Sequence, residues 1–129
     1  MPRKKTVAAR LNHPHSSIPR RPPERDAFVD QFLSTVCDTS RRSILELLAE
    51  PNDKDPSVLY ERRSGEIAEA LGLSSATISG HLHQLANLHL VTARKQGTAV
   101  YYRLSDHLLV QAFLDLLAAL DRQHQKQLS

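Results

Sequence analysis

From Ser74 to Leu104 the chain reads SSATISGHLHQLANLHLVTARKQGTAVYYRL, a stretch without a single Asp or Glu. Ser74 and Ser75 suit a helix N-cap, because a serine hydroxyl accepts a bond from an unpaired amide of the first turn. Ile78, Leu82, Leu85 and Leu88 then recur at helical spacing and predict a buried stripe, with Ser75, Thr77, Ser79 and His83 on other faces. VTARK and TAVYYRL are β-branched and aromatic runs, and their junction at Gln96 and Gly97 predicts a β-hairpin. Arg94, Lys95 and Arg103 put positive charge on it. A helix with a small, polar, uncharged outer face beside a basic hairpin suits close approach to base edges in a DNA major groove.

The preceding residues complete a helix-turn-helix pattern. Ser64 can cap a short helix, GEIAEAL, with Ile67, Ala68 and Leu71 as its apolar stripe. Gly72 supplies the left-handed turn that ends a helix at little cost, and Leu73 plugs the angle between the two helices. Helix, glycine-containing turn and second helix match the DNA-binding motif in length and composition.

Charge is unevenly distributed. The 129-residue chain has a net charge of +3, but residues 1–25 hold seven of the seventeen Lys and Arg and one of the fourteen acids. That segment nets +6 and the remainder −3, so net positive charge concentrates in the tail and the acid-free hairpin against a mildly acidic body, as expected of a protein with one DNA-contacting face. Five of the seven prolines also lie there, which predicts a flexible arm over residues 1–23. The arm either contacts phosphates and the minor groove or is a solvated tail. The chain has no apolar run long enough to span a bilayer and no signal-peptide core, and its single Cys allows no internal disulfide; these features predict a cytoplasmic protein without membrane partners.

DTSRRSILELL from Asp38, IAEALGLSSATISGHLHQL from Ile67, LVTARKQGTAVYYRLS from Leu90 and the apolar helix after them occur in an order that resembles the ArsR/SmtB family of bacterial winged-helix repressors. The resemblance covers about residues 26–122. It implies a mainly α winged helix-turn-helix with a small β-hairpin wing, dimerising through its first and last helices, that binds a palindromic operator and releases it on a signal. Carried onto this sequence, Ser75, Thr77, Ser79 and His83 face the groove, Gln84 lies at its edge, and Arg94, Lys95, Gln96, Gly97 and Thr98 form the wing. His81 reads as structural, with a phosphate contact as the alternative. Arg41 and Arg42 contact phosphates or pair with Glu46, the i to i+4 spacing favouring the pair for Arg42.

The expected dimer domain spans residues 24–122, followed by a tail over 123–129. A first helix from about Glu24 to Val36 has Phe28, Val29, Phe32, Leu33 and Val36 on one side; a second starts after Asp38 or Ser40 and stops at Glu50, before Pro51. Ser105 caps a last helix, DHLLVQAFLDLLAALDR, apolar on nearly every side. Such a helix needs cover on all faces, so Leu109, Phe113, Leu116, Leu117 and Leu120 are the expected interface, to which the dimer implied by the resemblance adds Phe28 and Phe32 of the first helix, with a central helix of a monomeric core as the alternative.

The signal is less legible. Soft-metal sensors of the family place Cys-x-Cys just before the helix that precedes the recognition helix, where this chain has Arg63 and Gly65 and no thiolate. Zinc, nickel and cobalt sensors pair Asp-x-His at the start of the last helix with His-x-x-His or His-x-x-Glu near its end. Asp106 matches, but Leu108, Ala119 and Arg122 occupy the other positions. No metal or other cofactor is therefore expected. A displaced site from Asp106, His107, Asp121 and His124 is the alternative, with His13 and His15 as extra ligands. Cys37 is expected to be a small buried hydrophobe; if exposed beside Arg41 and Arg42, it is a candidate for thiol oxidation.

Two departures concern the recognition helix. Gly80 stands where the family has Arg or Lys, which either permits close backbone approach to DNA or is drift. His89 stands where a glycine usually ends the helix and can adopt the left-handed conformation, though less readily than glycine. No paired carboxylates, activated nucleophile or phosphate loop occurs, so an enzyme is not expected. A winged-helix module that binds protein rather than double-stranded DNA is the remaining alternative, and it leaves the acid-free stretch unexplained.

Overall fold

The computed structural model describes residues 20–51, 60–105 and 108–128. Most of the expected arm, with His13 and His15, and the ligand candidates Asp106 and His107 lie outside the described residues. The elements are α1 (Pro23–Val36), α2 (Thr39–Leu48), β1 (Arg62–Arg63), α3 (Ser64–Leu71), α4 (Ser75–Asn87), β2 (Val91–Gln96), β3 (Ala99–Leu104) and α5 (Leu108–Leu128). The chain divides into two units, residues 1–30 and 31–129, a boundary inside α1 rather than at its start. In the first, the amides of Arg25 and Asp26 donate to the Pro22 carbonyl at 3.0 Å and open α1. The Arg21 guanidinium meets Asp26 at 2.9 Å.

The second unit holds the core. Ile44, Leu45 and Leu48 of α2, Ile67 and Ala68 of α3, and Ile78, Leu82 and Leu85 of α4 close on one another, with Leu90, Val91, Leu104, Val110 and Phe113 completing the cluster. α4 buries the stripe that its spacing predicts, α3 buries Ile67 and Ala68 with Leu71 only partly covered, and of the expected stripe on α1 Val36 is buried while Phe28 and Leu33 are exposed. Asp38 caps α2, accepting from the Arg41 amide at 3.0 Å. That hydrogen bond is the main reason its carboxyl titrates below the ordinary range. Its contribution to stability is therefore present above the ordinary carboxylate range and is lost as pH falls through the lowered value. α2 ends at Leu48, earlier than expected, because Pro51 disfavours helical backbone at Glu50.

The sheet differs from the expected two-stranded hairpin. Its order is β1-β3-β2, all antiparallel, with Arg62 opposite Tyr102 and Arg63 opposite Tyr101. Gln96 pairs with Ala99, so the turn residues are Gly97 and Thr98 rather than Gln96 and Gly97. Gly97 has φ +64, which a glycine adopts without a Cβ penalty.

Three further expectations are corrected. α5 continues to Leu128, so residues 123–128, read as a tail, are helical. Phe113 is 8% exposed and packs edge-on against Phe32, ring centroids 6.1 Å apart, so it belongs to the protomer's own core rather than to an open interface. Cys37 is exposed, because it lies in the junction between α1 and α2, one residue past the last buried position, Val36.

Candidate nucleic-acid interface

The geometry starts at the turn between α3 and α4. Gly72 has φ +69 and ψ 32. Leu73 and Gly72 return their amides to the carbonyls of Ala68 and Glu69, satisfying the end of α3. α3 itself begins at Ser64, not after it. The Glu66 carboxylate accepts from the Arg63 amide at 2.7 Å, so the cap is one residue earlier than expected. Ser74 then caps α4, accepting from the Thr77 amide at 3.1 Å, and its hydroxyl donates to that of Thr77 at 2.8 Å. α4 ends in the same way as α3: Leu90 and His89 return their amides to Leu85 and Ala86, with His89 at φ +60. His89 thus adopts the left-handed conformation open to it at the position where the family usually has glycine.

Ile78, Leu82 and Leu85 fix the rotation of α4 by burying one side completely. Ser75, Thr77, Ser79, Gly80, His83 and Gln84 are all exposed. A Cβ placed on Gly80 meets nothing within 4 Å, so packing does not demand a glycine there.

One polar hub fastens α4 to the first helices. Arg41 donates through Nε to the Thr35 carbonyl, through Nη1 to Gln84 Oε1, and reaches His81 Nδ1 at 3.3 Å. A guanidinium only donates, so His81 accepts at Nδ1 in this contact. Asp38 is the charge partner of Arg41, at 3.9 Å. Gln84, expected at the groove edge, is therefore engaged by Arg41, whose reach across the chain has no signal in local spacing. The i to i+4 pairing of Arg42 with Glu46 does not form, and Arg42 has no ion pair among the described residues.

The wing carries less free charge than its sequence implies. Gln96, Gly97 and Thr98 at its tip are exposed, as is Lys95, which has no ion pair among the described residues. Arg94 instead forms a fork with Glu61, Nη2 to Oε1 at 2.8 Å and Nε to Oε2 at 3.1 Å. Its guanidinium lies 4.8 Å from the centre of the Tyr101 ring. Glu61 was missed because it lies outside the acid-free stretch; the segment before β1 brings it back alongside β2. The hydrogen bonds from Arg94 hold the Glu61 carboxyl below the ordinary carboxylate range, and Glu61 raises Arg94 above its own.

Metal chemistry gains no support from these residues. Arg63 and Gly65 offer no thiolate, Arg63 is spanned to Glu66 at 3.8 Å, and Leu108 is an exposed hydrocarbon. Asp121 and His124 are exposed on α5. Among the described residues no three His, Cys, Asp or Glu side chains are gathered to hold a metal ion, and no helix is long and apolar enough to cross a membrane.

A capped, glycine-turned helix pair followed by a three-stranded sheet with a projecting hairpin defines a winged helix-turn-helix, a fold of DNA-binding transcriptional regulators rather than enzymes. Residues 38–93 match the family model described as bacterial regulatory protein, arsR family. The nodulation protein NolR of Rhizobium meliloti is 30% identical over 86% of this chain and 80% of its own. The HTH-type transcriptional regulator KmtR of Mycobacterium tuberculosis is 30% identical over 73% of this chain, which spans only 65% of that relative's length. A homodimeric winged helix-turn-helix DNA-binding domain from Mycobacterium bovis superposes with a TM-score of 0.60 at 28% identity, over 83% of this chain and 93% of that one. The chain belongs to the ArsR family of DNA-binding transcriptional regulators.

Proposed function

We propose that the protein is a homodimeric repressor whose two α4 helices enter successive major grooves of a two-half-site operator, and that it releases the operator on a signal other than a metal held at the family's usual sites. The observation that carries this reading is the pairing of two surfaces on one unit: an exposed, acid-free outer face of α4, and exposed Leu116 and Leu120 on α5. The homodimeric neighbour supports a dimer as such. Half-sites about 34 Å apart require both readers at once. Ser75, Thr77, Ser79 and His83 read bases; Lys95 and the tip residues Gln96, Gly97 and Thr98 reach phosphates or the minor groove. Leu109 and Leu117, half-buried within the protomer, flank Leu116 and Leu120 in the interface together with Phe32; Phe28, exposed in the first unit, is a separate interface candidate.

Cys37 is the candidate trigger. Its exposed thiol lies close in sequence to Arg41, the residue that fastens α4. A peroxide oxidises the thiolate to sulfenate and is itself reduced to water, adding polarity at the junction of α1 and α2. The test is fluorescence anisotropy on DNA upstream of the protein's own coding region, with reduced protein, peroxide-treated protein and zinc, nickel, cobalt or copper salts. Tight binding that peroxide weakens in the native chain but not in Cys37→Ser supports the reading. Release by one metal ion instead points to the displaced Asp106, His107, Asp121 and His124 set, and no binding returns the protein-interaction alternative.

Gly80 supplies a separate check on the reading face. Gly80→Ala should raise stability by about 1 kcal/mol, because a helix interior favours alanine and the space is open. If the backbone there lies against the groove, the same variant binds its operator more weakly although it is more stable. Thermal unfolding and anisotropy measured together separate the two effects; unchanged affinity removes Gly80 from the contact face.

A further inference from the structure

The residues from Ser74 to Leu104 exclude acids, yet the fold sets the Glu61 carboxylate against the hairpin they form. The geometry points to Glu61 as a resting counter-ion that a DNA backbone phosphate displaces from Arg94, so that this acid limits how tightly the wing grips DNA. The inference uses the DNA-binding class of the protein and does not depend on repression or on any signal.

Three features carry it. The fork of Arg94 is occupied by two carboxylate oxygens, with Nε at 3.2 and 3.1 Å from Oε1 and Oε2 and Nη2 at 2.8 Å from Oε1. A phosphate presents a similar pair of oxygens to the same fork, so exchange preserves the hydrogen bonds. Arg94 is also held from directions that do not involve Glu61. The Tyr101 ring lies under the guanidinium and Gln96 Oε1 accepts from Nη1 at 2.7 Å, so the fork stays extended when the carboxylate leaves. Finally, the pair is accessible, with side-chain exposures of 46% for Arg94 and 27% for Glu61, and Arg94 lies on the strand that leads to the wing tip. An exposed ion pair of this kind is weakly held, whereas the phosphates of a duplex form a dense array of negative charge that repels Glu61 and attracts Arg94.

The test titrates a fluorescein-labelled mixed-sequence duplex with the full-length chain across a range of salt concentrations. Each phosphate contact contributes about 0.9 to the slope of log affinity against log salt. Arg94→Gln should therefore flatten the slope by about 0.9 for each protomer bound. Glu61→Gln should keep the wild-type slope, because the phosphate contact remains, and bind about two- to five-fold more tightly, the scale of one exposed ion pair. Arg94→Lys retains the charge without the fork and should keep the slope while losing part of the affinity. Circular dichroism and thermal midpoints check that each variant is folded. An unchanged slope in Arg94→Gln, or a Glu61→Gln variant that binds no more tightly, overturns the exchange and leaves the pair as a structural tie between β2 and the segment before β1. Wild-type protein that binds no duplex overturns it together with the DNA-binding assignment.

Discussion

If the proposed dimer holds, a Leu116→Glu, Leu120→Glu variant should sediment as a 14.5 kDa monomer at micromolar concentration and lose roughly 100-fold or more in operator affinity. The two leucines lie four residues apart on α5, 52% and 56% exposed, and so share one helical face that the protomer leaves uncovered. Burying a leucine fully contributes about 1.5–3 kcal/mol, so two from each protomer supply a large share of a modest interface. The substitutions instead bring four carboxylates together in an apolar seam, where desolvation and mutual repulsion both oppose association. Affinity falls because the second half-site is then no longer held at high effective concentration by the first; linkage of two binding events is worth about 10²–10⁴. Since neither side chain is buried in the protomer, helical content measured by circular dichroism should persist. A variant that remains dimeric moves the interface away from this face of α5.

The parts of this molecule that sequence reveals are those decided within a few residues. Gly72 and His89 adopt left-handed backbone where a helix must end, Ser74 caps α4, and Ile78, Leu82 and Leu85 occupy the buried stripe, because capping and helical periodicity depend only on neighbours along the chain. What escapes is set by distant partners. β1 is two arginines with no strand pattern of their own, and pairing with Tyr101 and Tyr102 makes them a strand. Arg41 meets Gln84 across a separation of 43 residues, and Arg94 meets Glu61 across 33, so these polar contacts at the candidate interface have no local signature. The consequence for function is direct. Counting wing charges along the sequence overstates the positive potential offered to DNA, because the fold supplies an acid that the reading stretch lacks. The same limit explains Phe113: apolarity on all sides of α5 indicates that cover is needed, but not that Phe32 of the same chain provides it for that ring.

Leu82 and His83 are adjacent, and their replacement by alanine should have opposite consequences. Leu82 is fully buried in the core, where α4 packs beside α3 and α2, so Leu82→Ala removes apolar contacts and leaves a cavity that costs about 2–5 kcal/mol. Against a total stability of about 5–15 kcal/mol for a typical domain, that loss should be visible as a large fall in the urea midpoint. DNA binding then declines only as far as the folded fraction declines. His83 is exposed on the outer face, so His83→Ala should change stability by about 0.5 kcal/mol or less. If its ring contacts a base edge, the loss falls on one operator position and amounts to about 1–3 kcal/mol, with little change in salt slope because no phosphate contact is removed. Unfolding curves and operator titrations of the two variants thus test the rotation of α4 from both sides. A His83→Ala variant that unfolds as easily as Leu82→Ala would mean that the helix presents a different face to DNA, and the assignment of Ser75, Thr77 and Ser79 as readers would fall with it.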